Sequence, residues 1–304
     1  MNQSLVTACL ITYNQVKYVR QSIEGMLMQQ TDFPWGIIVA DDCSTDGTQE
    51  ILKEYQAKDP DKITLLLQPA NKGAMLNWID LVTMPKSRYI TLCEGDDYWT
   101  DPFKLQKQVD FLEANPEYVA CFHPVKVVDA DGKELRSSKN SFVHNRDLTQ
   151  DELIMGRVMS TLSLCYRNVI AEFPQEFYKS PTGDNFLCSL LGNYGKAKFL
   201  DDIKPSAYRM HTGGSWSLQQ DDKKKMTLLL SYFWLWQYYA RIGKPEYAQG
   251  YYRKILLEGF YSDPFRELVP GLLGRTEWVT IKTIRRVFRL LRNLAGKKQA
   301  TVKK

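Results

Sequence analysis

Nowhere in the 304 residues is there a run of eighteen apolar side chains, so a helix spanning a bilayer is not expected. No signal-peptide pattern precedes the strand-like sequence that begins by Leu5, which makes the cytoplasm the expected compartment. The six cysteines (Cys9, Cys43, Cys93, Cys121, Cys165 and Cys188) are scattered and include no CxxC pair. A disulfide framework or zinc site is therefore not expected, and most of these thiols read as small core residues. Internal repeats and low-complexity stretches are absent, and there are only three histidines. Excess positive charge is missing from most of the chain. Arg275 to Lys304 holds ten Lys/Arg against one acid, Glu277, a net +9 within a total of +5, which leaves −4 on the remainder. A weakly acidic body gives no nucleic-acid footprint.

What is present suits a soluble globular protein: 44% hydrophobic and 25% charged residues, in a chain long enough for one large domain with an appendage. Apolar runs at 5–12, 36–40, 63–67 and 89–93 predict buried strands. Helical spacing at 16–30, 46–58 and 73–82 fills the intervals. This alternation predicts an α/β fold, a Rossmann-like, mostly parallel central sheet flanked by helices. Further on, the pattern predicts a helix over 101–114, a strand over 118–128, a hairpin turn at 130–133, a short helix over 147–155, a helix over 184–194 and a strand near 197–200. After 217 the character turns helical and aromatic, over 223–242 and 245–260. The expected organisation is a main domain over 1–217, a C-terminal helical extension over 218–270 and a basic tail over 271–304.

Ligands of open α/β sheets bind beyond the carboxyl ends of the strands, and three polar clusters fall there. Thr12-Tyr13-Asn14 follows the first strand, Asp41-Asp42-Cys43-Ser44-Thr45-Asp46-Gly47 the second and Glu94-Gly95-Asp96-Asp97 the fourth. Taken singly, each has an ordinary reading: a strand exit, a turn with a helix N-cap, a solvated loop. Taken together, four or more carboxylates on one rim repel one another unless neutralised. A divalent cation carrying phosphates answers that need, and hard oxygen ligands suit Mg²⁺ or Mn²⁺.

Over roughly residues 4 to 217 the sequence resembles family 2 glycosyltransferases of GT-A fold. The pieces are Leu10-Ile11-Thr12-Tyr13-Asn14, Val39 to Thr48, Asn71-Lys72-Gly73, Glu94-Gly95-Asp96-Asp97-Tyr98-Trp99 with Asp101-Pro102 and Lys104-Leu105, Gly183-Asp184, and Tyr208-Arg209-Met210-His211-Thr212-Gly213-Gly214-Ser215. The resemblance implies a nucleotide-sugar donor, with a UDP-sugar favoured, and a Mn²⁺ or Mg²⁺ cofactor. Thr12 and Tyr13 would line the nucleobase pocket and Asp41 would accept a hydrogen bond from the base. Asn14, Asp42, Asn71 and Lys72 fall on the same donor side. Asp96 would bridge to the metal, with Asp97 and His211 also placed at the metal and Glu94 assisting. Arg209 and the Gly213-Gly214-Ser215 loop would close over the donor, and Asp184 would be the catalytic base. Three positions depart from the family's usual residues: Ile11 for Pro, Cys43 for Gly and Glu94 for Asp. No Gln-x-x-Arg-Trp stretch follows, which argues for single additions rather than processive synthesis.

Those residue types suit the chemistry on their own terms, because inverting transfer needs one base for the incoming hydroxyl and stabilisation of the departing diphosphate. Asp184 also has an ordinary reading as a helix N-cap, and His211 as a structural histidine. Two other classes compete. A sugar-phosphate nucleotidyltransferase would need a Gly-rich basic loop where Thr12-Tyr13-Asn14-Gln15 stands. An inactive scaffold of the same fold would not need the carboxylates. In the extension, Tyr232-Phe233-Trp234-Leu235-Trp236 and its neighbours read as a helical hairpin packed on the main domain. In the tail, Ile281, Ile284, Val287, Phe288, Leu291 and Leu294 share one helical face and Lys282, Arg285, Arg286, Arg289 and Arg292 the other. That is the pattern of an interfacial helix on an anionic membrane. The expectation is an enzyme peripherally bound to the inner face of the cytoplasmic membrane, acting on a glycan or glycolipid acceptor and binding no nucleic acid. A helix docked on its own protein is the other reading of the tail.

Overall fold

A computed structural model of the protein describes residues 4–135, 145–213 and 220–259. The amphipathic tail and the end of the loop expected to close over the donor lie outside them. Strands β1 (Val6–Thr12), β2 (Trp35–Asp41), β3 (Ile63–Leu67) and β4 (Tyr89–Glu94) alternate with helices α1 (Val19–Leu27), α2 (Thr48–Lys58) and α3 (Ala74–Thr83). Helix α4 (Lys104–Ala114) and strands β5 (Tyr118–Phe122) and β6 (Val125–Val128) follow. Next come α5 (Gln150–Ile154), β7 (Cys165–Arg167), α6 (Gly183–Leu191), β8 (Lys196–Phe199) and β9 (Ser206–Arg209). Two long helices, α7 (Asp221–Arg241) and α8 (Pro245–Gly259), complete the described chain.

Seven strands form one sheet in the order β3-β2-β1-β4-β7-β5-β8, parallel except that β7 runs against both β4 and β5. The expected mostly parallel sheet is present. Residues 6–10 of β1 are buried without a break, because helices cover both faces and leave no side for polar alternation. Strand β7 has only three residues, too few to show a period, and no strand was expected there.

The single strand expected over 118–128 is instead two. Pro124 lacks an N–H for a ladder, so the chain leaves the main sheet after β5 and re-pairs as β6, parallel to β9, in a separate two-stranded sheet. Helix α4 begins three residues later than periodicity predicts. The Asp101 carboxylate accepts the Phe103 N–H at 2.9 Å and its carbonyl accepts the Lys104 N–H at 3.3 Å, which makes 101–103 an approach rather than a first turn. Helix α1 likewise starts at Val19, since the Val16 N–H is held by the Asp46 carboxylate at 3.0 Å.

Each face of the sheet carries its own apolar cluster. Val19, Ile23 and Met26 of α1, Leu52 of α2 and Leu105, Val109 and Leu112 of α4 fill one. The other joins Trp78 and Leu81 of α3 to Phe186 and Leu187 of α6, and also to Leu229, Leu235 and Tyr239 of α7 and Tyr251 of α8. The aromatic helices therefore pack into the core of the main domain. Polar ties reinforce the packing: the Tyr239 hydroxyl lies 2.9 Å from Ser189 Oγ, and Arg241 pairs through two nitrogens with the Glu176 carboxylate at 2.7 and 2.9 Å. Among the described residues no helix is long and apolar enough to cross a membrane.

Leu235 is fully buried in the shared cluster. Leu235→Ala should cost about 2–5 kcal/mol and shift one cooperative urea transition of the whole domain. Two separated transitions, with that of the sheet unmoved, would show that α7 and α8 fold on their own.

Candidate donor and catalytic site

Strands β2, β1 and β4 are neighbours, and their register aligns Thr12 with Asp41 and Ile11 with Glu94. The three polar clusters thus emerge side by side at the carboxyl edge of the sheet. Backbone bonds continue the ladder into the loops: Asp42 N–H to Thr12 O at 3.1 Å and Gly95 N–H to Ile11 O at 2.8 Å. A side chain at Gly95 would put its Cβ 2.6 Å from Thr12 Oγ1, so only glycine lets these two strands exit so closely. Thr12 Oγ1 is buried and has no partner among the described residues, whereas Tyr13 is 45% exposed. Asn14 and Cys43 both adopt left-handed backbone, with φ of 51° and 63°. They turn two loops towards each other, and the Asn14 N–H meets Ser44 Oγ at 2.8 Å while Asn14 Oδ1 accepts the Thr45 N–H at 2.9 Å.

The two aspartates after β2 face inward. Asp41 is fully buried and accepts from Ser44 N–H at 2.9 Å, Ser44 Oγ at 2.5 Å and Gln49 Nε2 at 2.6 Å. Asp42 accepts the Lys72 and Gly73 N–H groups at 2.8 and 2.9 Å, which fixes the Asn71-Lys72-Gly73 turn beside the rim. Lys72 Nζ is drawn to Asp80 at 2.5 Å, and Asn71 is exposed. Both aspartates organise the loops in which the sequence expected donor contacts.

The acidic cluster after β4 divides its work. Asp96 Oδ2 lies 2.9 Å from His211 Nε2. His211 Nδ1 accepts the Gly213 N–H at 3.2 Å, so Nε2 carries the proton and donates it to Asp96. Asp97 is buried; its Oδ1 accepts the Arg209 N–H at 2.8 Å and its Oδ2 has no partner among the described residues. Arg209, expected to reach the donor, is itself buried with its guanidinium engaged by the protein. Its Nε donates to Asp96 O at 2.9 Å, NH1 to Ala130 O at 2.8 Å and NH2 to Gln21 Oε1 at 2.6 Å, and the Tyr18 ring covers it. It fixes the acidic loop against β9 and the turn after β6. Sequence reasoning did not single out Tyr18, which also packs on His211 with ring centroids 4.7 Å apart.

Glu94 Oε1 bonds Thr161 Oγ1, while Oε2 is buried without a partner among the described residues. Burial, and then the charges of Asp96 and Asp184, push its pKa up to about 7. Asp184 therefore acts electrically on the same group as Asp96 even though it arrives from α6. Burial raises its own pKa as well, against the stabilising backbone N–H groups of Asn185, at 2.8 Å, and of Asp184 itself. Asp184 is held in place by a tight contact: a Cβ on Gly183 would fall 2.4 Å from the Trp78 ring. Thr161 and Trp78 carry no motif signal, and their roles follow only from the packing of β4 and α3.

Among the described residues no three His, Cys, Asp or Glu side chains form a ready-made ligand set. Asp96 and His211 offer one carboxylate and one imidazole, which fits a cation that takes its other ligands from a diphosphate and water. Ligation through Nε2 would require His211 to give up the proton it now donates.

Glu94 also sets a pH dependence of stability. The folded protein keeps that proton up to about pH 7, whereas the unfolded chain releases it near 4.5. Stability therefore falls as pH rises through that window. Glu94→Gln removes the penalty. Its advantage in urea midpoints of the metal-free protein should vanish below about pH 4 and reach on the order of 3 kcal/mol near pH 8. An advantage that does not grow with pH would show that Glu94 ionises normally in the fold.

Comparison with known proteins fits this geometry. The sequence model described as Glycosyl transferase family 2 matches residues 7–172. An uncharacterised protein of Mycobacterium tuberculosis is 35% identical over 225 residues, covering 71% of this chain and 61% of that protein. The chain thus spans less than two thirds of that relative's length. Among solved structures, S. aureus TarS 1-349 in complex with UDP-GlcNAc aligns with 75% of this chain and 66% of its own, at a TM-score of 0.56 and 18% identity. Mannosyltransferase PcManGT from Pyrobaculum calidifontis, in complex with GDP-Man and Mn²⁺, aligns with 97% of this chain and 88% of its own, at a TM-score of 0.58 and 16% identity. At such identities these structures show the shared fold, GT-A. With the family match covering more than half of its residues and carrying the clusters at the ends of β1, β2 and β4, this chain belongs to glycosyl transferase family 2.

Proposed function

We propose that the protein is an inverting, metal-dependent glycosyltransferase that moves a sugar from a nucleotide-sugar, with UDP-sugars favoured, to a hydroxyl of a glycan or glycolipid. The observation that carries this reading is the meeting of Asp96, paired with His211, and the half-buried Asp184 around Glu94. One carboxylate stands at the donor end and another, of raised proton affinity, stands beside it as a base.

In a single displacement the acceptor oxygen bonds to the anomeric carbon as the bond from that carbon to the diphosphate oxygen breaks. The acceptor's proton passes to the Asp184 carboxylate. Burial makes Asp184 a stronger base than an exposed aspartate, so the rate rises with pH as that group ionises. The Asn185 N–H holds Oδ1, which leaves Oδ2 for the acceptor. On the donor side, Asp42 presents Asn71 and Lys72, and the loops joined by Asn14 and Ser44 shape the nucleoside end near Thr12 and Tyr13. Asp96 and His211 would hold Mn²⁺ or Mg²⁺, which when bound supplies Lewis-acid stabilisation of the departing diphosphate. Asp97 and Arg209 keep that loop in place from behind. The bound molecules named for TarS and PcManGT, UDP-GlcNAc and GDP-Man with Mn²⁺, support a nucleotide-sugar donor without choosing the base.

Calorimetric titration should find tight UDP binding that is lost without Mn²⁺, and weaker GDP binding. The reverse order would reassign the base, and no binding of either would sink the donor reading. Asp184→Asn should reduce transfer by roughly 10²–10⁴-fold with UDP affinity unchanged; turnover near the wild-type rate would remove Asp184 from the role of base.

The basic amphipathic pattern of the tail supports peripheral attachment to an anionic membrane at the cytoplasmic face. Deleting residues 275–304 should abolish co-sedimentation with anionic liposomes, and unchanged sedimentation would refute that attachment.

A further inference from the structure

Thr182 precedes the first residue of α6 and stands in the N-cap position, yet its side chain makes no cap bond. An N-cap threonine ordinarily accepts a backbone N–H of the first helical turn. Here its Oγ1 lies 2.6 Å from Oγ of Ser231, a fully buried residue in the middle of α7. The Ser180 hydroxyl joins them, donating to Thr182 O at 3.0 Å and to Ser231 Oγ at 3.3 Å, while Ser231 Oγ donates to Thr227 O at 3.0 Å. Three buried or half-buried hydroxyls thus tie the segment entering α6 to α7. On the other side Gly183 is pressed against the Trp78 ring of α3. The chain is clamped from both sides immediately before Asp184.

We infer that Ser231 is a positioning residue for transfer, acting through Thr182 to fix the first turn of α6 and so the direction of the Asp184 carboxylate. The inference rests on the reading of Asp184 as the base. It gives the aromatic extension a part in the chemistry, since α7 supplies a hydroxyl that sets the geometry of a group on another helix. A hydroxyl network suits this task better than apolar packing, because its bonds are directional where dispersion is not. A second set of bonds on α6 gives an internal contrast. Tyr239 and Tyr251 reach Ser189 further along the helix and hold its body without touching the start.

The test uses the full-length protein. Ser231→Ala and Thr182→Val should each lower kcat about ten- to hundredfold through misplacement of the base, with donor KM and the calorimetric affinity for UDP unchanged. Thr182→Ser, which retains the hydroxyl, should restore most of the rate. The Ser231→Ala/Thr182→Val double variant should be no slower than either single one. Tyr239→Phe should lower the urea midpoint and leave kcat alone. Wild-type kcat in both single variants, alongside an inactive Asp184→Asn, would overturn the positioning role while leaving the base in place. An active Asp184→Asn would instead remove the base and the inference with it. Equal kcat losses in Tyr239→Phe and Ser231→Ala would mark general loosening of α6 and also overturn the inference.

Discussion

Like charges drawn out of water onto one sheet edge are the constraint around which this structure is arranged. Glu94, Asp96 and Asp97 leave the end of β4 within four residues, and Asp184 reaches Glu94 from another helix. Burial raises the proton affinity of Glu94, Asp97 and Asp184. Their neighbours are arranged to bear this. Arg209 lies behind the loop and donates its backbone N–H to Asp97, Thr161 bonds Glu94, and His211 donates a hydrogen bond to Asp96. The separate β6–β9 sheet exists at the place where Arg209 must be held against that loop.

The sequence makes the frame legible because parallel strands covered on both faces must be continuous apolar runs, and β1 to β4 stand within a residue or two of where those runs lie. It makes the site's location legible for a topological reason: loops at the carboxyl ends of neighbouring parallel strands have to meet. It is silent where the outcome depends on long-range pairing or on the direction a side chain takes. Strand β7 exists only because β4 and β5 flank it. That the Arg209 guanidinium bonds the carbonyls of Asp96 and Ala130, and that the Asp41 carboxylate folds onto Ser44 and Gln49, could not be read from the sequence. Thr161 has no pattern around it. The division of 118–128 could be read from Pro124, which disagrees with the apolar run on either side.

The family match ends at residue 172, but the core and the site do not. Asp184, Arg209 and His211 all lie beyond it, as do the α7 and α8 side chains that complete the cluster under α6. The matched portion supplies the acidic edge of the sheet at the ends of β1, β2 and β4, and the portion beyond supplies Asp184, Arg209 and His211 beside it. The second part is joined to the first through the apolar cluster they share, with Trp78 of α3 pressed against Gly183 at the start of α6.

Cys43 sits between Asp42 and Ser44, in left-handed backbone that L-residues with a β-carbon adopt at a cost of roughly 1–2 kcal/mol. The other five cysteines are buried, and Cys43 alone is partly accessible. The same turn that brings the two loops together has therefore left one addressable sulfur at the margin of the candidate site. Alkylation of the native protein would mark a single position, and its rate would register whether that margin is open or covered, with no engineered label required.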